Sequence, residues 1–181
     1  MLETNRLVLR PLEKRDVDAI FAMRSDLEVM RFIREPQNRT ESVSWIKLVS
    51  SRWKTEKIGF CAVIEKRTKD FVGWCGIWRL EETREFEVGY AIAKQYWGNG
   101  LATEASLRFL EYAFERLKPD KIVAVARPEN AASRRVMEKL GMSFVTTGTF
   151  YEQTLVQYAL TSDEFFRQNH KVAGTQTIFN Q

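Results

Sequence analysis

Three clusters of residues have the types and spacing to do chemistry. The first is Glu85 and Glu87, two carboxylates two positions apart in the run Glu85 to Ile92 (EFEVGYAI). On a strand they share one face. Held together, two carboxylates raise each other's pKa toward the range of a general base at neutral pH. Pairing with Arg79 or Arg84 would instead make them ordinary surface charges. The second cluster is Gln95-Tyr96-Trp97-Gly98-Asn99-Gly100, between that run and a helical pattern. Helix N-termini carry unpaired N–H groups and partial positive charge, and glycines let a bulky anion approach the backbone. The loop is therefore a candidate phosphate cradle. It lacks the Gly-Lys-Ser/Thr of a Walker loop, and Thr103 stands where a dinucleotide fingerprint needs its third glycine or alanine. The third cluster is Asn130 and Ser133, at the start of a helix that Gly141 closes; Asn130 suits an N-cap whatever else it does.

Other chemistries are poorly served. His170 is the sole histidine, which excludes a His-based triad. Cys61 and Cys75, the two cysteines, do not form a C-x-x-C pair and cannot complete a four-ligand zinc site. They flank the turn at Lys66 to Asp70, so they are expected to face each other across a hairpin as reduced core thiols.

The elements that must position these clusters follow from periodicity. Arg6 to Pro11 alternates as a first strand. Glu13 to Ser25 reads as a helix marked by Val17, Ile20, Phe21 and Arg24. Thr40 is the expected cap of a second helix whose apolar face is Trp45, Leu48, Val49 and Trp53. Lys57 to Glu65, Phe71 to Leu80 and Glu85 to Ile92 form an antiparallel meander. Ala102, Ser106, Phe109, Leu110, Ala113 and Leu117 then share a helical face. Lys121 to Ala126 (KIVAVA) is an apolar strand, so strand–helix–strand implies a right-handed parallel crossover. A helix at Ala131 to Leu140 and strands at Met142 to Thr149 and Thr154 to Leu160 complete the order.

The 181 residues suit a single domain over 1–168 with a polar tail at 169–181. No run approaches a membrane span, and the N-terminal stretch lacks the apolar core of a secretory signal, so a cytoplasmic protein is expected. The net charge of +4 is scattered and forms no basic block, which argues against nucleic acid as partner.

The pattern Q-x-x-G-x-G from Gln95 to Gly100, after Glu-Val-Gly-Tyr and before Leu-Ala-Thr-Glu-Ala, resembles the acyl-CoA-binding motif of the GCN5-related N-acetyltransferases (GNAT). The likeness is strongest to the branch that acetylates ribosomal-protein N-termini and to its small-molecule relatives. The stretch from Arg127 to Met142 resembles the second signature of that family, in which an Asn begins a helix and Glu-Lys-Leu-Gly ends it. The resemblance spans about residues 3 to 165. It implies an α+β fold: a mixed, mostly antiparallel sheet flanked by helices, with a central parallel strand pair splayed where the cofactor enters.

The resemblance also implies acetyl-CoA as cosubstrate, no metal, and an amine acceptor that is a protein N-terminus or a small molecule. Monomer and homodimer both fit. Backbone groups of Tyr90, Ala91 and Ile92 would meet pantetheine and the acetyl carbonyl. Gln95 would open the cradle, and the amides of Trp97, Gly98, Asn99, Gly100, Leu101 and Ala102 would take the pyrophosphate. Asn130 would contact the pantetheine arm. Glu87 matches the carboxylate that relays the acceptor's proton through water. Many relatives carry a tyrosine acid where Met137 stands. Ser133 instead matches the serine that donates to the leaving sulfur, although helix-capping chemistry alone would also explain it. Glu81, Glu82, Glu85 and Glu87 would form an acidic rim suited to a cationic amine. A non-catalytic acyl-CoA-binding module of the same fold is the alternative.

Overall fold

The computed structural model describes residues 1–168; the polar tail expected at 169–181, His170 included, lies outside them. The chain begins with β1 (Leu2–Glu3) and β2 (Leu7–Pro11), then α1 (Val17–Arg24), α2 (Leu27–Met30) and α3 (Arg39–Glu56). The strands β3 (Gly59–Glu65), β4 (Phe71–Arg79) and β5 (Phe86–Ile92) form the meander. The rest is α4 (Leu101–Tyr112), β6 (Lys121–Ala126), α5 (Ala131–Lys139), β7 (Ser143–Phe150) and β8 (Gln153–Thr161), with residues 162–168 helical.

The eight strands form one sheet in the order β1-β2-β3-β4-β5-β6-β8-β7. The pair β5–β6 is parallel and the other pairs are antiparallel. This is the α+β architecture anticipated from sequence. The parallel ladder is short, pairing Phe86 with Ile122 and Glu87 with Val123. Beyond those residues β5 follows β4 to Ile92, while β6 follows β8 to Ala126. The two central strands therefore part like a V.

Strand alternation divides the core. One layer joins Leu7, Leu9, Cys75, Ile77 and Val88 to Leu101 and Phe109 of α4 and Met137 of α5. The other joins Ala62, Trp74 and Ala91 to Val17 and Ile20 of α1, Met30 of α2 and Val49 of α3. Cys61 and Cys75 are direct cross-strand partners and buried free thiols, as the hairpin symmetry suggested.

Several local expectations are corrected. The N-cap of α3 is Asn38, not Thr40. The Asn38 side chain accepts from the Glu41 N–H at 2.9 Å, and the Glu41 carboxylate accepts from the Asn38 N–H at 2.7 Å. This reciprocal box satisfies two backbone donors where a lone threonine satisfies one. With the helix phased from Asn38, Ser42, Ile46 and Val49 face the core, and Leu48 turns outward, 48% exposed. The segment Glu13 to Ser25 opens as a 3-10 turn before α1. After α4, Ala113–Leu117 winds as a π turn closed by Lys118 N–H to the Ala113 carbonyl at 2.9 Å. The wider turn brings Phe114 into the core and leaves Leu117 at its edge.

Candidate active site

Strand β5 serves both faces of the sheet. Glu87, Gly89 and Ala91 lie opposite Trp78, Gly76 and Trp74 of β4, on the layer shared with α1 to α3. Val88, Tyr90 and Ile92 point to the layer of α4 and α5. The mouth of the V opens into a cavity of about 460 Å³. One wall is α2 and the turn after it, including Val29, Phe32 and Ile33. The opposite wall is α5, including Asn130, Ser133 and Val136. Arg31, Arg135 and Lys139 also line it, and these cations suit a polyanion.

The glycine loop forms one end of the cavity. Gly98 and Gly100 have φ of +78° and +74°, the left-handed region that other residues enter at a cost. A Cβ on Gly98 would meet nothing within 4 Å, so glycine is required there for its backbone rather than for protein packing. Gly100 caps α4 with no side chain on its first amides, and Leu101, Ala102 and Thr103 of that first turn line the cavity.

Side chains brace this loop from behind. The Trp97 indole donates to the Ile92 carbonyl at 2.6 Å, and the Asn99 amide donates to the carbonyls of Tyr96 and Trp97. Arg6 donates to the Asn99 carbonyl at 3.0 Å and pairs with Glu104 in the first turn of α4 at 2.6 Å. Thr4 also donates to Glu104.

On the α5 side, the Asn130 side chain accepts from the Ser133 N–H at 3.1 Å, a true N-cap. The Ser133 hydroxyl lies 2.9 Å from the Tyr90 phenol, which also donates to the Ser133 carbonyl at 3.1 Å. Burial pushes the Tyr90 phenol above its ordinary range, so it stays protonated.

On the other face, Glu87 is buried, 9% exposed, and accepts from the Tyr151 phenol. Burial raises its pKa to about 7; Glu82 and Glu81 add to the rise and the Tyr151 hydrogen bond opposes it. Glu85 behaves oppositely. It pairs with Lys121 at 2.8 Å and accepts from Thr83 at 2.7 Å, which outweigh its partial burial and lower its pKa. The expectation that Glu85 and Glu87 raise each other is thus corrected: Lys121 neutralises Glu85, and burial acts on Glu87. Arg79 and Arg84 pair with neither; Arg79 stacks on Phe86 at 4.1 Å and donates to the Arg84 carbonyl at 3.0 Å.

The acetyltransferase (GNAT) domain matches residues 6–143. The chain belongs to this family of acetyltransferases. It is 35% identical over 145 residues to the uncharacterized N-acetyltransferase YoaA of Bacillus subtilis, covering 78% of this chain and 81% of that one. The crystal structure of a GNAT-family acetyltransferase from Bacillus anthracis is 25% identical with a TM-score of 0.79, over 90% of this chain and 99% of that one. A spermidine N-acetyltransferase from Vibrio cholerae, solved with CoA and spermine, shares the fold at 20% identity and a TM-score of 0.75, over 90% and 99% of the two chains.

Within this acetyltransferase, the cavity gathers Tyr90, Ala91, Ile92, Trp97, Gly98 and Gly100 from one side of the expected site. Leu101, Ala102, Asn130 and Ser133 line it as well. Gln95 is exposed and Asn99 is turned back into its own loop; neither lines the cavity. The Ile92 carbonyl, expected to be free for pantetheine, is taken by Trp97. Glu87 lies toward the apex of the V, apart from the cavity lining. Sequence reasoning missed Tyr151 and the α2 wall. The apolar residues of Leu27 to Ile33 were a signal for that wall, but nothing local pointed Tyr151 at Glu87. Among the described residues no group of three or more His, Cys, Asp or Glu could hold a metal ion, and no helix is long and apolar enough to cross a membrane.

Proposed function

We propose that residues 1–168 act as one catalytic domain that transfers the acetyl group of acetyl-CoA to a primary amine by direct attack on the thioester. One observation carries this reading. The parting of β5 and β6 opens into a single cavity that ends on the α4 amides and is walled by Tyr90 and Ser133. The fold relationship to a spermidine acetyltransferase solved with CoA and spermine supports the cosubstrate and an amine acceptor. Arg31, Arg135 and Lys139 suit the phosphates of the cosubstrate.

In the reaction, the amine nitrogen attacks the carbonyl carbon; the C–N bond forms and the C–S bond breaks. A backbone N–H of β5 at the splayed end stabilises the oxyanion. The ammonium proton passes through water to Glu87, whose pKa near 7 suits a base at neutral pH. The departing thiolate is stabilised by a hydrogen bond from the Ser133 hydroxyl, which the Tyr90 phenol beside it orients, and is itself protonated by solvent. A tyrosine from β5 thus stands behind the serine, although Met137 occupies the usual tyrosine position. A base matters most for a lysine-like amine, which costs about 4.6 kcal/mol to deprotonate at pH 7, against about 1.4 kcal/mol for an α-amine. Glu81 and Glu82 lie close enough to act on the charge of Glu87, and the three carboxylates favour a cationic acceptor.

The test is calorimetric titration with acetyl-CoA, followed by CoA release across a panel of polyamines, amino-acid amines and peptide N-termini. Binding together with release on at least one amine supports the reading. Binding with no release on any amine class favours a sensing module of the same fold. Absence of binding defeats both.

A further inference from the structure

The hairpin joining β7 to β8 reaches back across the sheet to Glu87. Its two turn residues, Tyr151 and Glu152, have φ of +51° and +59°. Two-residue hairpin turns with positive φ ordinarily take Asn-Gly or Asp-Gly. A tyrosine held in this region is strained and persists where surrounding contacts over-determine it. Here two contacts do so. The Tyr151 N–H donates to the carboxylate of Glu82, in the turn between β4 and β5, and the phenol donates to the carboxylate of Glu87. The ring packs against a small cluster of Leu80, Val123, Phe150 and Leu155. Backbone strain, a docked hairpin and an apolar clamp together hold one hydroxyl on one carboxylate oxygen.

We propose that Tyr151 is a positioning residue for Glu87: its phenol aims the carboxylate and favours the ionised form that takes the acceptor's proton. This rests on the role of Glu87 as base given above. The surroundings of Glu87 show why such a donor matters. Burial opposes its charge, and so do Glu81 and Glu82 from the β4–β5 turn. From β4 its cross-strand partner is Trp78, against which Arg52 of α3 stacks at 4.5 Å. From β6 its partner is Val123. Lys121, two residues before Val123, is paired with Glu85. The Tyr151 hydrogen bond is the contact acting in favour of the anion. Burial and the nearby Glu87 in turn push the phenol up, so it remains a donor at neutral pH.

A donor to the carboxylate lowers the pKa of Glu87, so removing it must raise that pKa. The test uses the full chain labelled with ¹³C at glutamate side-chain carboxyls, with Glu87→Gln identifying the resonance. Titration of the Glu87 carbon in the parent protein centres near 7. In Tyr151→Phe the midpoint rises by about one to two pH units, the equivalent of one charge-assisted hydrogen bond. A 3-fluorotyrosine placed at position 151, with a more acidic phenol, lowers it. A midpoint that stays or falls in Tyr151→Phe overturns the proposal, and so does one that stays or rises with the fluorinated residue. If the phenylalanine variant does not fold, the fluorinated protein keeps every contact and decides alone. No acceptor enters this measurement, so its failure leaves Glu87 as base untouched. Failure of the base reading shows separately, as unchanged turnover in Glu87→Gln.

Discussion

At the scale of single residues, Glu87 is a carboxyl placed where water solvates its charge poorly. Its folded pKa of about 7 lies above the ordinary 4.5. A raised pKa means that the stability tied to its protonated form is fully present below the unfolded value and is lost as pH rises through 7. That loss amounts to about 3 kcal/mol. Glu87→Gln keeps an acceptor for the Tyr151 phenol without the charge. The variant should match the parent near pH 4 and exceed it by up to about 3 kcal/mol above pH 7 in denaturant titrations. Its kcat/KM should fall by roughly 10²-fold near neutrality, and less as pH rises and the acceptor deprotonates itself. A uniform loss at every pH would instead mean that Glu87 binds the cation. Ser133 carries a different expectation. If its hydroxyl serves the leaving sulfur, Ser133→Ala lowers kcat and leaves acetyl-CoA affinity in place, because that bond strengthens only in the transition state. A variant changed in thermal stability alone would reduce Ser133 to a helix-start residue beside Asn130.

At the scale of elements, the loop before α4 is the most constrained unit of the site. Its two glycines take positive φ, and Trp97, Asn99 and Arg6 brace it from behind. Such a loop presents its amides without first having to order itself, which is how preorganisation raises affinity. Gly100→Val adds a β-branched side chain at φ +74°, with strain of about 1–2 kcal/mol. Acetyl-CoA affinity should fall at least about tenfold, roughly 1.4 kcal/mol, while circular dichroism stays native. Unchanged affinity in calorimetry would remove the loop from the cosubstrate site.

At the scale of the whole molecule, the sheet is closed at the apex of the V and open at its mouth, and the cavity walls come from α2 and α5, far apart in sequence. A ligand lying between them ties together elements that share few direct contacts. Acetyl-CoA at 100 times its dissociation constant should therefore stabilise the fold by about 2.7 kcal/mol, read as a rise in Tm that grows with ligand concentration. CoA lacking the acetyl group should retain most of this rise, since in the proposed function the loop and α5 wall meet parts common to both. A Tm indifferent to both ligands would contradict the assignment of the cavity.

How much of this was legible beforehand follows from the range of the forces involved. The strand–loop–helix of β5 to α4, the β6 strand, the Asn130 cap and the cross-strand cysteines could be read from the chain, because periodicity, capping and glycine conformation act within a few residues. Most other strands and helices were legible too, and local competition changed only details: Asn38 outcompeted Thr40 by forming a reciprocal box with Glu41, and a π turn rotated Phe114 inward. The electrostatics of the site belonged to tertiary structure. Glu85 and Glu87 are near-identical in sequence context, yet Lys121 neutralises one while burial and Tyr151 govern the other. Tyr90 meets Ser133 across 43 residues and Tyr151 meets Glu87 across 64. Sequence spacing determined which side chains share a strand face or a helix turn. Only the folding of distant strands onto one sheet decided which carboxylate loses its water and which gains a cation, and the balance of those two effects sets each pKa.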